Sequence, residues 1–263
     1  MSRYETLIRE TNPGVYIHVP FCAAKCPYCN FYSVKAEESL MDAYTEQICR
    51  ALAASAERWQ RRADTLYFGG GTPILLGARR IERIVSTARR HFGLQNAEIT
   101  LEANPASTLE ETLRDLFAAG VNRLSFGMQS ADEEELRILG RRHTAKEAAL
   151  AVAHAQAGGF SNISLDLMLG IPQQTAQSVE KSIGFCAETG ITHISAYLLK
   201  IEEGTPFDRN GVAARCPDPD EQAERYLQAV EALARHGFCQ YEISNFAHSG
   251  FESRHNRKYW LGG

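Results

Sequence analysis

The stretch Gly14-Val-Tyr-Ile-His-Val-Pro-Phe-Cys22-Ala-Ala-Lys-Cys26-Pro-Tyr-Cys29 decides how this chain is read. Its first half is short and apolar, as a buried strand should be. Its second half carries three cysteines spaced C-x3-C-x2-C, one ligand short of a closed site. Four-iron clusters usually take four thiolates, so three would leave one iron free to bind something else. The residues also admit a zinc site, with His18 completing a Cys3His set. The strand-then-loop arrangement puts the cysteines where parallel α/β folds collect ligands, beyond the C-terminal end of a strand.

That unit repeats outward along the chain. Strands are expected over 15–19, 65–68, 98–101, 123–126, 163–168 and 193–198. Helices are expected over 40–59, 78–91, 109–119, 133–139 with 145–157, 176–188 and 220–236. In the last of these, Tyr226, Ala229, Val230 and Leu233 recur at helical spacing. Thr108-Leu-Glu-Glu111 has the pattern of a capping box with Thr108 as N-cap. Gly158-Gly159 and Gly237 are expected to stop helices. Six alternations argue a parallel sheet with crossover helices. They are too few to close an eight-stranded barrel, so an open parallel sheet with outer helices, a partial (β/α)6 TIM-like barrel, fits the count; a doubly wound sheet is the alternative.

Notable polar residues follow the strands in turn. They are the cysteines, the run Gly69-Gly-Gly-Thr-Pro73, Glu102, Gln129, Asp166 and Lys200. Glycines let a backbone approach a ligand closely, and exposed N–H and C=O groups can pair with a charged ligand. Glu102 and Asp166 are carboxylates on otherwise apolar segments, and buried carboxylates need partners such as a ribose diol or an ammonium. Arg141 opens the basic trio Arg-Arg-His143, which could meet a carboxylate. Asn104-Pro105 is expected to shape the loop after the third strand.

Composition sets limits. The chain has 263 residues, 44% hydrophobic and 23% charged, with a net charge of −4. That is ordinary for a globular protein and gives no general attraction to nucleic acid or anionic membranes. No apolar run approaches a transmembrane span, and Met1-Ser-Arg-Tyr-Glu-Thr lacks the apolar core of a secretory signal. Cys49, Cys186, Cys216 and Cys239 are scattered singly and are expected to be plain thiols.

With these residues in view, C-x3-C-x2-C with an aromatic before the last cysteine resembles the radical S-adenosylmethionine (SAM) enzymes. In that family the free iron chelates the amino and carboxylate groups of SAM, and the reduced cluster cleaves SAM to a 5′-deoxyadenosyl radical. Gly69-Gly-Gly-Thr-Pro73, Glu102-Ala-Asn-Pro105, Asn122-Arg-Leu-Ser-Phe-Gly-Met-Gln129 and Ser164-Leu-Asp-Leu167 resemble its oxygen-independent coproporphyrinogen oxidase branch. Tyr241-Glu-Ile-Ser-Asn-Phe-Ala247 and His255-Asn-Arg-Lys-Tyr-Trp260 resemble the heme chaperones within it. The resemblance implies a [4Fe–4S] cluster on Cys22, Cys26 and Cys29. It implies SAM contacts at Tyr16, Tyr28, Gly70, Gly71, Thr72, Glu102, Gln129, Arg141 and Asp166, with a weaker transfer to a second SAM position at Lys200. It implies a heme contact at His255.

The oxidases of that branch carry a further cysteine where this chain has Phe31, which favours the chaperone over the oxidase. The expectation is therefore a SAM- and cluster-binding heme chaperone without coproporphyrinogen oxidase activity. A radical oxidase of coproporphyrinogen III and a zinc-stabilised binding module remain the alternatives. The expected partners are heme and acceptor hemoproteins, membrane-bound respiratory enzymes among them. The expected location is the cytoplasm, with peripheral membrane association open. Residues 1–236 are expected to form the barrel core, and 237–263 the start of a truncated C-terminal domain.

Overall fold

The computed structural model describes residues 12–262, with the side chain of Ser107 left out. Residues 1–11, read above for a secretory segment, lie outside the described residues. The strands are β1 (Gly14–Val19), β2 (Phe21–Cys22), β3 (Val34–Lys35), β4 (Thr65–Gly70), β5 (Glu98–Ala103), β6 (Arg123–Gln129), β7 (Ile163–Leu169), β8 (His193–Leu198), β9 (Cys239–Glu242) and β10 (Asn245–Ala247). The helices are α1 (Glu38–Trp59), α2 (Gly77–Phe92), α3 (Glu110–Ala118), α4 (Glu133–Ile138), α5 (Ala145–Ala157), α6 (Ala176–Glu188), α7 (Pro206–Arg209), α8 (Pro219–Arg235) and α9 (Arg254–Leu261).

One eight-stranded sheet runs in the order β1-β4-β5-β6-β7-β8-β10-β9. From β1 to β8 every pairing is parallel, which gives the six-unit open half-barrel expected from the sequence. β10 then pairs antiparallel with β8, and β9 with β10. Residues 239–247, assigned above to the start of a further domain, thus add strands to this same sheet. α9 returns from there to the opposite end of the sheet, where His255 meets Thr65 of β4. β2 and β3 form a separate two-stranded ribbon beside the cysteine loop.

The strands alternate, and the alternation explains the layers. Val19, Leu66, Phe68, Ile99, Leu101, Leu124, Phe126, Ile163, Leu165, Ile194 and Ala196 pack outward with Ile81, Ile84, Leu113, Leu116, Val152, Ile183 and Leu233 of the helices. Burying each such aliphatic side chain is worth about 1.5–3 kcal/mol. The intervening positions face the lumen and are largely polar. Tyr16, Tyr67, Thr100 and Arg123 sit in one register row, and Glu102 and Ser125 stand opposite each other above it.

Two local readings need correction. Thr108 does not cap a helix: its hydroxyl donates to the Pro105 carbonyl, and α3 starts after Leu109, which makes no side-chain cap. Reciprocal capping boxes stand instead at Thr144–Glu147, Thr175–Ser178 and Asp218–Glu221. The expected glycine stops hold, with α5 ending on Gly158 and α8 just before Gly237. No helix among the described residues is long and apolar enough to cross a membrane.

Candidate functional site

At the C-terminal ends of the parallel strands lies a cavity of about 600 Å³. Cys22, Cys26 and Cys29 line one wall, and Gly70, Gly71 and Thr72 the next. Glu102, Gln129, Arg141 and Asp166 complete it, with Tyr28, Asn104, Ser125, Phe31, Tyr197 and Glu202 at its margins. Eleven of the thirteen residues proposed from sequence therefore meet in one space. Its volume is that of a site for a small ligand or cofactor.

The cysteine loop is short because β1 delivers the chain directly into it. Cys29 donates its backbone N–H to the Cys26 carbonyl at 3.1 Å, which closes the C-x2-C turn. Two sulfurs already have donors. The Thr72 hydroxyl points at Cys22 Sγ at 3.8 Å, and Arg141 Nη1 lies 3.4 Å from Cys26 Sγ. Burial pushes the Cys29 thiol up. Three thiols on one cavity wall, two with donors directed at sulfur, fit a cluster ligated at three corners. The zinc alternative fits less well. His18, which would complete a zinc set, instead contacts the Tyr16 hydroxyl and the Tyr32 carbonyl.

The glycine run does its work differently from the expectation. Both its amides and its carbonyls were expected to be open to a ligand, and only the carbonyls are. Instead Gly70 N–H donates to Glu102 Oε2 at 3.0 Å, Gly71 N–H to the Val19 carbonyl at 2.8 Å and Thr72 N–H to the Phe21 carbonyl at 2.7 Å. The run stitches β4 to the cysteine loop, and carbonyl oxygen is what it can still offer a ligand. That suits an ammonium better than a carboxylate. A Cβ on Gly71 would stand 2.6 Å from the Phe21 carbonyl oxygen, and Gly70 holds φ +112. Both positions demand glycine.

Glu102 and Asp166 keep only cavity-facing surface. Glu102 accepts from the Tyr67 hydroxyl at 2.9 Å as well as from Gly70. Burial, and next the Asp166 charge, push its carboxyl up to about 7, against the pull of those two donors. Burial also raises Asp166, while the Ser195 and Ser125 hydroxyls and the Arg123 and Arg141 guanidiniums pull it back. Ser125 Oγ donates to Asp166 Oδ1 at 3.0 Å. A pair of carboxylates held this way prefers a ligand that brings hydroxyl or ammonium donors.

Arg141 touches the Tyr28 hydroxyl and the Gly127 carbonyl besides Cys26, which places a cation between the cysteine loop and β6. Gln129 adopts φ +75 where the β6–β7 register shifts, a strained conformation for a residue with a side chain, on the cavity wall. Asn104 caps the Ala106 amide and shapes its loop as expected.

Two proposed residues lie elsewhere. Tyr16 is on the open edge of the half-barrel, its ring stacked 5.9 Å from Tyr67, outside the cavity wall. His255, expected as a heme contact, is 4% exposed. Its Nδ1 meets the Thr65 hydroxyl at 2.9 Å, its ring stacks 5.0 Å from Tyr67, and burial holds its pKa down to about 4. Both ring nitrogens have partners, Tyr259 OH being the second at 3.4 Å. The weaker candidate Lys200 pairs with Glu202 at 2.8 Å and points to solvent.

Sequence reading missed Tyr67, Arg123, Ser125, His193 and Ser195, which support the site from below. Their signal was present as polar residues at i, i+2 within strands that otherwise read as apolar, such as Arg123-Leu-Ser125 and His193-Ile-Ser195.

The comparisons with known proteins agree with this geometry. The profile of the Radical SAM superfamily matches residues 16–186. The heme chaperone HemW of Mycobacterium tuberculosis is 39% identical over 259 residues, covering 95% of this chain and 66% of its own length. HemW of Bacillus subtilis is 36% identical over 252 residues, with coverages of 94% and 66%. The chain thus spans about two thirds of the length of these relatives. Among solved structures, the coproporphyrinogen III oxidase HemN of Escherichia coli, described as a radical SAM enzyme, superposes with a TM-score of 0.81. It is 25% identical, and the match covers 94% of this chain and 58% of that one.

Proposed function

Since this chain belongs to the radical SAM superfamily, we propose that its cavity holds a [4Fe–4S] cluster and SAM, and that the protein serves as a heme chaperone. The observation that carries the cofactor reading is the convergence of Cys22, Cys26 and Cys29 with Glu102, Gln129, Arg141 and Asp166 on one cavity. The heme reading rests on relatives at 35–39% identity that bear the name heme chaperone.

Cys22, Cys26 and Cys29 hold the cluster. When bound, the cluster supplies one-electron chemistry at an iron open to an amino acid. The carbonyls of the glycine run receive the ammonium of SAM, and Arg141 faces its carboxylate. Glu102 and Asp166 accept from its ribose hydroxyls, and Tyr28 and Gln129 bound its adenosyl end.

Phe31 lines the same cavity at 63% exposure, in the place where the oxidases have a cysteine. It supports the chaperone over the oxidase. Heme and acceptor hemoproteins, membrane-bound respiratory enzymes included, are the partners in this reading. The cytoplasm, with peripheral association at a membrane, is its location. His255 is packed inside the barrel end, so the heme contact expected there requires α9 to move.

Heme titration of the anaerobically reconstituted protein tests the proposal, with a deoxyadenosine assay on added coproporphyrinogen beside it. A saturable Soret change and no deoxyadenosine above background are expected. Deoxyadenosine formed in step with decarboxylated porphyrinogen would assign the oxidase instead.

A further inference from the structure

Tyr67 faces two ways. Its hydroxyl donates to Glu102 Oε1 at 2.9 Å, on the cavity side. Its ring faces α9, with the His255 ring stacked on it at 5.0 Å and 30°. Tyr16 completes a cluster of three rings, 5.9 Å from Tyr67 and 6.4 Å from His255. Gly69 makes room for that cluster, since a Cβ there would stand 3.0 Å from both tyrosine rings.

On the cavity side, the two oxygens of Glu102 have different donors. The Tyr67 hydroxyl takes Oε1 and the Gly70 N–H takes Oε2, at 2.9 and 3.0 Å. Two donors on two oxygens fix the plane of a carboxylate and leave its other lone pairs to whatever enters the cavity. Without the Tyr67 hydroxyl one oxygen is released, and the carboxylate can turn about its broad terminal torsion.

On the other side, α9 rests in a built seat. Glu98 of β5, itself buried, accepts from the Ser253 hydroxyl at 3.1 Å and from the Arg254 and His255 backbone N–H groups at 2.9 Å. Asp64 pairs with Lys258 at 2.7 Å and with Arg254 at 3.4 Å. Gly14 leaves open the place where a Cβ would stand 3.0 Å from His255 Nδ1 and from Lys258 Cδ. The His255–Tyr67 stack joins this seat to the cavity, because Tyr67 carries the next bond upward to Glu102.

We propose that Tyr67 is a positioning residue with two faces: its hydroxyl holds Glu102 for the ligand and its ring seats α9, so that an occupied cavity and a seated α9 favour each other. Linkage makes the effect reciprocal, because whatever a seated α9 adds to ligand affinity the ligand adds to the seating of α9. The His255–Trp260 motif thereby reaches the cavity without touching the ligand. That the ligand is SAM rests on the function proposed above; the part played by the ring does not.

Tyr67→Phe and Tyr67→Leu separate the two faces, since phenylalanine keeps the ring and leucine keeps neither. Equilibrium SAM binding and hydrogen exchange over residues 254–261 are read on the reconstituted protein with the cluster oxidised. SAM affinity should fall about fivefold in Tyr67→Phe, as loss of a hydrogen bond to a charged group implies. In a Glu102→Ala background the same substitution should change affinity less than about twofold, a non-additivity that a merely structural role would not give. Without SAM, exchange in α9 should match the wild type in Tyr67→Phe and run about fivefold faster in Tyr67→Leu, where the packed ring is lost. Adding SAM should slow α9 exchange about threefold in the wild type and leave it unchanged in Tyr67→Phe. Unaltered affinity in Tyr67→Phe, or an equal fall with and without Glu102, overturns the part of the hydroxyl. Exchange in α9 that ignores Tyr67→Leu overturns the part of the ring, and wild-type α9 that ignores SAM overturns the coupling. If Tyr67→Leu did not fold, Tyr67→Phe with and without SAM would decide. If the wild type bound no SAM, the cavity reading would fall and the coupling with it, while ligand-free exchange would still decide whether the ring seats α9.

Discussion

Glu102 carries opposing demands within one side chain. It is a carboxyl buried beside a second carboxyl, and it titrates near 7 instead of 4.5. A carboxyl raised on folding stabilises at acid pH, and that contribution is lost as pH rises through about 7. Without ligand, Glu102→Gln should therefore raise the melting temperature at about pH 8 and bring little change at about pH 5. The same variant should bind SAM at least about tenfold more weakly, because a buried charged acceptor is gone. Differential scanning fluorimetry at the two pH values, with equilibrium binding beside it, checks both halves. A fall in stability at the higher pH would mean that the Tyr67 and Gly70 donors outweigh burial. His255 is the opposite case, a residue whose motif spoke for ligand binding and whose packing speaks for the core. His255→Ala should cost about 2–4 kcal/mol of stability, as removal of a packed buried ring does, measured by urea unfolding. A loss under about 0.5 kcal/mol would mean that the ring is not packed as described.

At the scale of elements, the cysteine loop, the glycine run and β1 form one unit. The amides of Gly71 and Thr72 bind the backbone of Val19 and Phe21, so the loop that presents the sulfurs is held by its neighbour strand. Gly71→Ala would drive a Cβ against the Phe21 carbonyl and should destabilise by about 1–3 kcal/mol. It should also lower the iron retained after reconstitution, which colorimetric iron analysis reads. Full iron with unchanged stability would show that the loop gives way freely. Element positions were legible from the sequence because apolar runs and amphipathic stretches alternate with little ambiguity, and α6 over 176–188 was placed to the residue. The Thr108 cap was misread because its hydroxyl has a competing partner three residues back, at Pro105, which the Thr-x-x-Glu pattern does not reveal. β9 and β10 were missed because strands of four and three residues leave almost no periodicity to read.

Across the whole molecule, the half-barrel is apolar outside and polar within. Each strand alternates, so a single sheet serves a helix-packed core on one face and a ligand-bearing lumen on the other. The cavity residues were legible one strand at a time, because each follows or ends a strand. The lower storey was not: Arg123 is 1% exposed, with Nε and Nη2 unpartnered, and only the fold shows that it lies beneath Glu102 and Asp166. Three buried histidines add a global pH response. Burial depresses His143 and His255 to about 4 and holds His193 well below its ordinary value, so their contribution is present above 6.5 and is lost as pH falls from there. In that window they oppose the raised carboxyls of Glu102 and Asp166, and three depressed groups outweigh two raised ones. Thermal stability of the ligand-free protein should therefore decline on acidification below about pH 6, and a flat profile would contradict the burial of these rings.

The central claim is that three cysteines hold a cluster whose open corner meets SAM in this cavity. Electron paramagnetic resonance of the reduced, reconstituted protein, recorded with and without SAM, addresses it most directly. A [4Fe–4S] signal that shifts on adding SAM is predicted in the wild type, with the shift lost in Asp166→Asn and the signal itself lost in Cys22→Ser. A cluster signal indifferent to SAM, or iron content unaltered in Cys22→Ser, would contradict the account.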